Sequence, residues 1–498
     1  MRPKPRTRKG LKDVARVGVL SAVASGAFAL SANAADLDTL FTKAPPVIPD
    51  LTWKGITVIG AIDLSGQYET HSTPYAGQIN GTSSLVVPTN QGPGWFLAPN
   101  QTIQSYIGVK VDQPITDDLR VIGRLEIGFN PTGGELVNGP RSLQMQNGIP
   151  LTQQTMSADS ARAGQIFNGD AYGGFALKQW GELRAGRNTA VSTDMLYAYD
   201  PLLSLGFSLF GYSGIIAGQG SIEPSKLDSS VKYVNQVGMF RTELLYGAPG
   251  TDVRQFYQGA IGIVRPEFSV DAFAGQAKDI VNLSSLNGAA NVGSPFLGAR
   301  VSDTVLYGIF GKYVFDVGGR GYSDPDSSKF IVSGGWSHVD FTNPSDGGLL
   351  PGHSTIGGFQ IGPVLATNGA AGSGIVNYAY TGGDRQVDAY FISGKYQYDH
   401  QWSVAAAYYV FSQGSYGLGV NKIPGVAAPI FSNAACSSSG FINCSGLQQA
   451  VGLRVDYDWT KNLKLYAGAV YSKVSGGFAF GYIHQDEFAP TVGMRLTF

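Results

Sequence analysis

Hydrophobic and polar residues alternate through most of this chain, and the last ten residues show the pattern plainly. Val492, Met494, Leu496 and Phe498 fall on one face; Thr491, Gly493, Arg495 and Thr497 fall on the other. A period of two with one apolar and one polar face is a β-strand buried on one side. The pattern recurs at 55–68, where Ile56, Val58, Ile62, Leu64 and Tyr68 oppose Thr57, Asp63, Ser65 and Gln67. At 119–129 Val121, Leu125, Ile127 and Phe129 oppose Arg120, Arg124 and Glu126. At 448–458 Val451, Leu453, Val455 and Tyr457 oppose Arg454, Asp456 and Asp458, and at 463–473 Leu463, Leu465, Ala467, Ala469 and Tyr471 oppose Lys464, Tyr466 and Ser472. A charge on such a second face costs roughly 2–4 kcal/mol at mid-depth in lipid but little in a water-filled lumen.

Sixteen segments fit this description: 55–68, 102–112, 119–129, 169–177, 182–188, 228–236, 239–248, 255–264, 268–277, 304–315, 329–341, 386–398, 402–412, 448–458, 463–473 and 489–498. The connections after odd-numbered strands are long, apart from 249–254, and those after even-numbered strands are short. Long outer loops alternating with tight periplasmic turns, on an even number of strands, are the pattern of a transmembrane β-barrel. An open edge strand is a liability, and pairing the last strand with the first removes it. The expected fold is therefore all-β: an antiparallel up-and-down barrel of sixteen strands with both termini on the periplasmic side.

Composition narrows the environment. Glycine supplies 68 of 498 residues, roughly twice average usage, and there are 25 Tyr, 26 Phe and 6 Trp. Charged residues make up 14%, against ~25% in soluble domains. Aromatic residues flank two of the short turns: Tyr396, Tyr398 and Trp402 at one, Tyr457 and Trp459 at another. Such residues anchor at the headgroup level. No segment after the leader has the ~18 consecutive apolar residues of a membrane-spanning helix. Residues 1–34 have the plan of a secretory signal peptide: a basic stretch from Arg2 to Arg16, an apolar stretch from Val17 to Leu30, and Ala32-Asn-Ala34 as cleavage site. Residues 35–53, with Pro45, Pro46 and Pro49, form an extended periplasmic arm, and the barrel occupies 54–498. Without the leader the chain holds 28 basic and 35 acidic residues, so nothing favours nucleic acid as a partner. Cys436 and Cys444 lie in one Ser- and Asn-rich loop and, in an oxidising compartment, are expected to form a local disulfide.

Several segments carry a resemblance. Thr57-Val-Ile-Gly-Ala-Ile-Asp63-Leu-Ser-Gly looks like an opening Tyr-Gly-x-x-Asp-x-Gly strand with Ile59 where Tyr is usual. Asn168-Gly-Asp-Ala-Tyr-Gly-Gly-Phe175, followed by Trp180-Gly-Glu-Leu-Arg-Ala-Gly-Arg187, looks like a fourth and fifth strand. Val451-Gly-Leu-Arg-Val-Asp-Tyr457 with Thr460-Lys-Asn-Leu-Lys-Leu-Tyr466, and the terminal Val492-Gly-Met-Arg-Leu-Thr-Phe498, complete the set. In order and spacing these segments resemble the general diffusion porins of Gram-negative bacteria. That resemblance implies an outer-membrane barrel, trimeric as a rule, with its third long loop, about 189–227, folded into the lumen. It also implies that the terminal Phe498 is the signal read by the outer-membrane assembly machinery. The loop contains Asp194, Asp200 and Glu223, but lacks the Pro-Glu-Phe-Gly-Gly stretch common in the family.

A channel of this kind selects by pore width and by the charge on its lining. Strand parity points Arg120, Arg124 and Arg184 inward, and the expectation is a constriction with these on one side and Asp194 and Asp200 on the other. Lys232, Lys312, Arg454, Lys464 and Arg495 project inward by the same parity along the approaches, which favours a mild anion preference. Expected partners are outer-membrane lipid, two further copies of the chain, the assembly machinery, and small hydrophilic solutes and ions; no cofactor is expected. The five histidines group with no nucleophile and no metal-ligand spacing, so no enzymatic activity is expected. The competing readings are a substrate-specific channel and a structural outer-membrane protein.

Overall fold

The computed structural model describes residues 51–73, 84–137, 165–202, 205–212, 225–248, 255–285, 297–342, 384–416, 445–479 and 482–498, with short pieces between them. The leader, most of the arm, and both Cys436 and Cys444 lie outside the described residues.

Alternation along each strand becomes a closed wall. Its strands are β1 (Ile56–Glu69), β2 (Gly94–Pro99 and Tyr106–Pro114), β3 (Leu119–Gly128), β4 (Ala171–Leu177), β5 (Gly181–Thr189), β6 (Lys226–Val237), β7 (Phe240–Gly247) and β8 (Gln255–Val264). They continue as β9 (Phe268–Ser285), β10 (Leu297–Asp316), β11 (Lys329–Thr342), β12 (Arg385–Gln397), β13 (Trp402–Gln413), β14 (Gly446–Asp458), β15 (Leu463–Gly476) and β16 (Asp486–Thr497). Each pairs antiparallel with the next, and β16 returns to β1 with Ala61 opposite Thr497 and Gln67 opposite Thr491. The seam ends on the last residue: Phe498 N donates to Gly60 O (3.0 Å) and Gly60 N to Phe498 O (2.9 Å). A side chain at Gly60 would run into the Phe498 ring, so this glycine is what lets the terminal aromatic lie across β1.

The strand expected at 102–112 is built differently. Its upper segment pairs with Leu64–Glu69 and its lower segment with Ile56–Ala61. Between them residues 100–105 leave the ladder, with Asn100 at φ +59°. The cause is Asp63, fully buried on the inner face of β1. Its carboxylate accepts from Thr102 N (2.7 Å), Ile103 N (3.0 Å), the Thr102 hydroxyl and the Tyr466 hydroxyl (2.5 Å). Those bonds replace the ladder contacts the kink gives up. β9 and β10 also run beyond the expected 268–277 and 304–315.

The outer face carries apolar and aromatic side chains in the open: Trp95, Leu97, Ile261, Ile392 and Val492 are all more than half exposed. Among the described residues no helix is long and apolar enough to cross a membrane; the strands do so. At one rim Trp402 and Tyr457 lie against each other at a tilt of 33° with ring centroids 4.5 Å apart, and the neighbouring Tyr396 and Tyr398 extend the aromatic row.

A hydrophobic core lies inside the barrel, which a water-filled cylinder would not need. Between β5 and β6 run helices α1 (Val191–Tyr199) and α2 (Leu209–Tyr212). Val191, Met195, Leu196, Tyr199, Phe207 and Phe210 from this stretch are buried against the inward faces of β8–β15. There the wall supplies Phe256, Phe273, Phe310, Phe391, Tyr409 and Phe411, all buried, while their outward neighbours Tyr257, Ile309, Tyr390 and Tyr408 stay exposed. Phe210 sits 5.2 Å from both Tyr409 and Phe411 and 5.6 Å from Phe391, ring centre to ring centre. Strands in this half carry many apolar residues on both faces because one face meets the membrane and the other meets the loop.

Candidate pore and constriction

The inner wall divides into two parts. On the covered side α1 packs on β7, β8, β9 and β10, and the stretch after it continues over β12 to β15. Gly468 makes this possible on β15: a side chain there would strike the Phe207 ring. On the other side, β2 to β5 keep a polar inner face of arginines, tyrosines and carboxylates.

Asp194 and Lys232 fasten the helix. Lys232, on β6, is fully buried beneath α1; its Nζ donates to Thr189 O (2.9 Å) and to Asp194, and lies 3.6 Å from Glu243 Oε2. Asp194 stands in the first turn of α1, where a carboxylate also meets the positive end of the helix dipole. At the other end Lys312 donates to the Ala198 carbonyl (2.9 Å) and lies 5.6 Å from the Tyr199 ring centre. A cation at a helix C-terminus is favourable for the same reason.

Asp200 does not reach the basic cluster it was expected to oppose. It follows directly on α1 and is enclosed, accepting from Tyr409 Oη (2.7 Å), Ser208 Oγ (2.5 Å) and Leu202 N (3.0 Å). Burial pushes its carboxyl above the usual range, against the pull of those donors and of Arg454. Its place is to bind the loop to β13. Lys232 and Arg454 likewise differ from a free lining: the loop lies over both. Arg454 pairs with Asp456 (2.9 Å), donates to Leu202 O (3.3 Å) and sits 5.6 Å from the Phe207 ring centre. Arg495 faces inward between Asp63 and Lys464 in register.

The remaining arginines lie together on the open side, each beside a carboxylate. Arg120 Nη1 donates to both oxygens of Asp112 at 3.0 Å. Arg124 Nε donates to Glu126 Oε1 (2.6 Å), and its guanidinium carbon lies 6.0 Å from the Tyr106 ring centre. Arg184 Nε donates to Glu182 Oε2 (3.0 Å), and its guanidinium carbon is 5.0 Å from the Tyr172 ring centre. At the rim above, Asp170 pairs with Lys226 (2.7 Å). Burial works to raise the Asp170 carboxyl, but Lys226, the Thr189 hydroxyl and Arg124 outweigh it and hold it below the usual range. Below the arginines a cleft of about 490 Å³ opens, lined by Arg120, Arg184, Arg241, Glu182 and Gln236.

A family model described as Gram-negative porin matches residues 20–477. The chain belongs to the Gram-negative porins. It forms a channel in the outer membrane through which small hydrophilic solutes and ions diffuse. No curated protein sequence matches this porin. Among solved structures it is similar to the anion-selective porin from Comamonas acidovorans, with 13% identity, 89% of this chain and 99% of that one covered, and a TM-score of 0.53. It is also similar to outer-membrane expressed OmpT of Vibrio cholerae, with 14% identity, coverage of 90% and 100%, and a TM-score of 0.50. At these identities the likeness is one of fold.

Sequence reasoning singled out the porin's arginines and put Glu126 on the same face as Arg124, but paired none of them with a carboxylate. Glu126 and Glu182 each stand two residues from their arginine, which on a strand is the same face. That spacing was the available signal. Tyr106 and Tyr172 carried no comparable one, because aromatic residues occur on both faces of this wall.

Proposed function

We propose that solutes cross this porin through the crescent between α1 and the inner face of β2–β5, with a mild preference for anions. The loop holding α1 and α2 is then the constriction, and Arg124 and Arg184 line it. One observation carries the sign of the selectivity: the Arg124 side chain is 31% exposed and its partner Glu126 only 9%. At this pair the wall turns the guanidinium toward water and tucks the carboxylate behind it, whereas Arg184 and Glu182 are exposed to similar degrees. Pairing keeps the net field small, so discrimination is modest. Three copies of the chain, as the family resemblance implies, give three parallel pores, and the terminal Phe498 serves as the assembly signal. Transport by this route involves no covalent step.

Reversal potentials across a planar bilayer in a salt gradient test this reading. The native channel is expected to favour chloride over potassium. Arg124→Ala is expected to shift the permeability ratio toward potassium by roughly twofold, the size of one partly screened charge. Native cation selectivity, or an unchanged ratio in the variant, would contradict the assignment.

A further inference from the structure

The constriction holds more aromatic surface than a passage for ions needs. On the wall side Arg124 lies against Tyr106 and Arg184 against Tyr172, on neighbouring strands. On the loop side Tyr197 projects from α1 with 53% of its surface open to the lumen, although the other large side chains of that helix are packed away. Tyr197 stands three residues on from Asp194 on α1, hence on the same helix face, and Asp194 is held by Lys232, the register partner of Arg184, so the ring overlooks the crescent that Arg184 faces.

The arginines keep donors in reserve. Both engage their glutamate through Nε and Nη2, and neither Nη1 has a partner among the described residues. A guanidinium carries five N–H donors in a planar fork, so a second carboxylate can bind without displacing the first. Lys110, exposed on β2, stands opposite Arg124 in register and adds a positive charge at the same level.

We propose that this crescent is a saturable binding site for planar aromatic carboxylates. Arg124 or Arg184 takes the carboxylate, and the ring enters between Tyr197 and the Arg184–Tyr172 stack. This inference rests on the assignment of the crescent as the conducting path. It goes further in naming the solute class, since an ion preference alone asks nothing of the rings. Aromatic solutes gain from offset or edge contacts with tyrosine and from guanidinium stacking; a saturated ring of the same charge and similar size gains neither.

The test compares benzoate with cyclohexanecarboxylate as blockers of chloride current through the reconstituted full-length protein. In the native channel benzoate is expected to reach half-block at a concentration about fivefold lower. Tyr172→Leu and Tyr197→Leu are expected to bring the two concentrations together, and chloride current in each variant shows that its pore has assembled. Tyr322→Leu, in the periplasmic turn after β10, is expected to keep the native ratio. Equal half-block concentrations in the native channel, or a ratio that survives both lumen substitutions, would overturn the site while leaving the conducting path intact. A native channel without chloride current would overturn the path and the site together.

Discussion

The covered and open halves of the inner wall share one backbone plan and carry opposite surfaces. On β8–β13 the inward positions include Phe256, Ala260, Phe273, Phe310, Phe391, Ala405, Ala407 and Phe411, all buried, with a few buried polar residues such as Gln258, Asp271 and Ser333 among them. On β2–β5 they are Lys110, Asp112, Arg120, Arg124, Tyr172, Glu182 and Arg184, all open to the lumen to some degree. Strand geometry cannot account for the difference, since both halves have the same alternation and the same antiparallel pairing. What differs is the partner of the inner face: water on one side, the loop carrying α1 and α2 on the other. A barrel wall is thus a two-sided sheet whose inner chemistry reports what lies against it. Apolar residues on both faces mark where the lumen is filled.

The largest way to disturb that contrast is to empty the covered half. Phe210→Ala removes the ring that meets Phe391, Tyr409 and Phe411, at a cost of about 3–5 kcal/mol to loop docking. Single-channel recordings should then show a larger and noisier conductance; a native, quiet current would mean that the loop is held elsewhere. A smaller effect is expected at the fastener between the halves. Lys232→Met leaves Glu243 buried and Asp194 partly buried without their cation, costing about 2 kcal/mol after allowing for the access Asp194 has to water. Thermal unfolding in detergent should move to lower temperature, and adding Glu243→Gln should recover part of the loss. No recovery would show that packing, not charge, makes Lys232 important.

The smallest effect lies outside both halves, in the turn between β12 and β13. Asp399 accepts from Gln401 N (2.7 Å) and Trp402 N (2.8 Å). The Trp402 bond, foremost, lowers its carboxyl below the ordinary value; it outweighs the opposing effect of burial with help from the Gln401 bond and His400. A depressed folded-state pKa adds stability above the unfolded value and loses it as pH falls through the folded one. Asp399→Asn should therefore unfold slightly more easily than the native protein at neutral pH and converge with it once the pH has fallen below the folded-state value of Asp399. A gap that stays constant down to that pH would assign the effect to something other than ionisation.

Much of this fold was legible because a strand declares its two faces locally. The positions of β3, β8, β11, β12 and β13 follow from alternation alone, within a residue or two at each end. The kink in β2 was not legible, because its cause is a carboxylate some forty residues earlier in the chain, and nothing near Thr102 announces it. The inward fold of Leu85 and Val86 was hidden for the same reason. Val86 N donates to Ser472 Oγ (2.6 Å), a partner on β15. In the pore, parity found Arg120, Arg124 and Arg184 on the open side. Parity alone could not say that Asp200, Lys232 and Arg454 are covered, because covering depends on the path of a loop with no period of its own.

Cysteine accessibility tests the division of the lumen most directly. In a Cys436→Ser, Cys444→Ser background, Arg184→Cys on the open side is compared with Ala407→Cys on the covered side, each exposed to a charged, membrane-impermeant thiol reagent during current recording. Prompt loss of current with Arg184→Cys and none with Ala407→Cys is the predicted result. Rapid modification of Ala407→Cys, with Arg184→Cys untouched, would contradict the account.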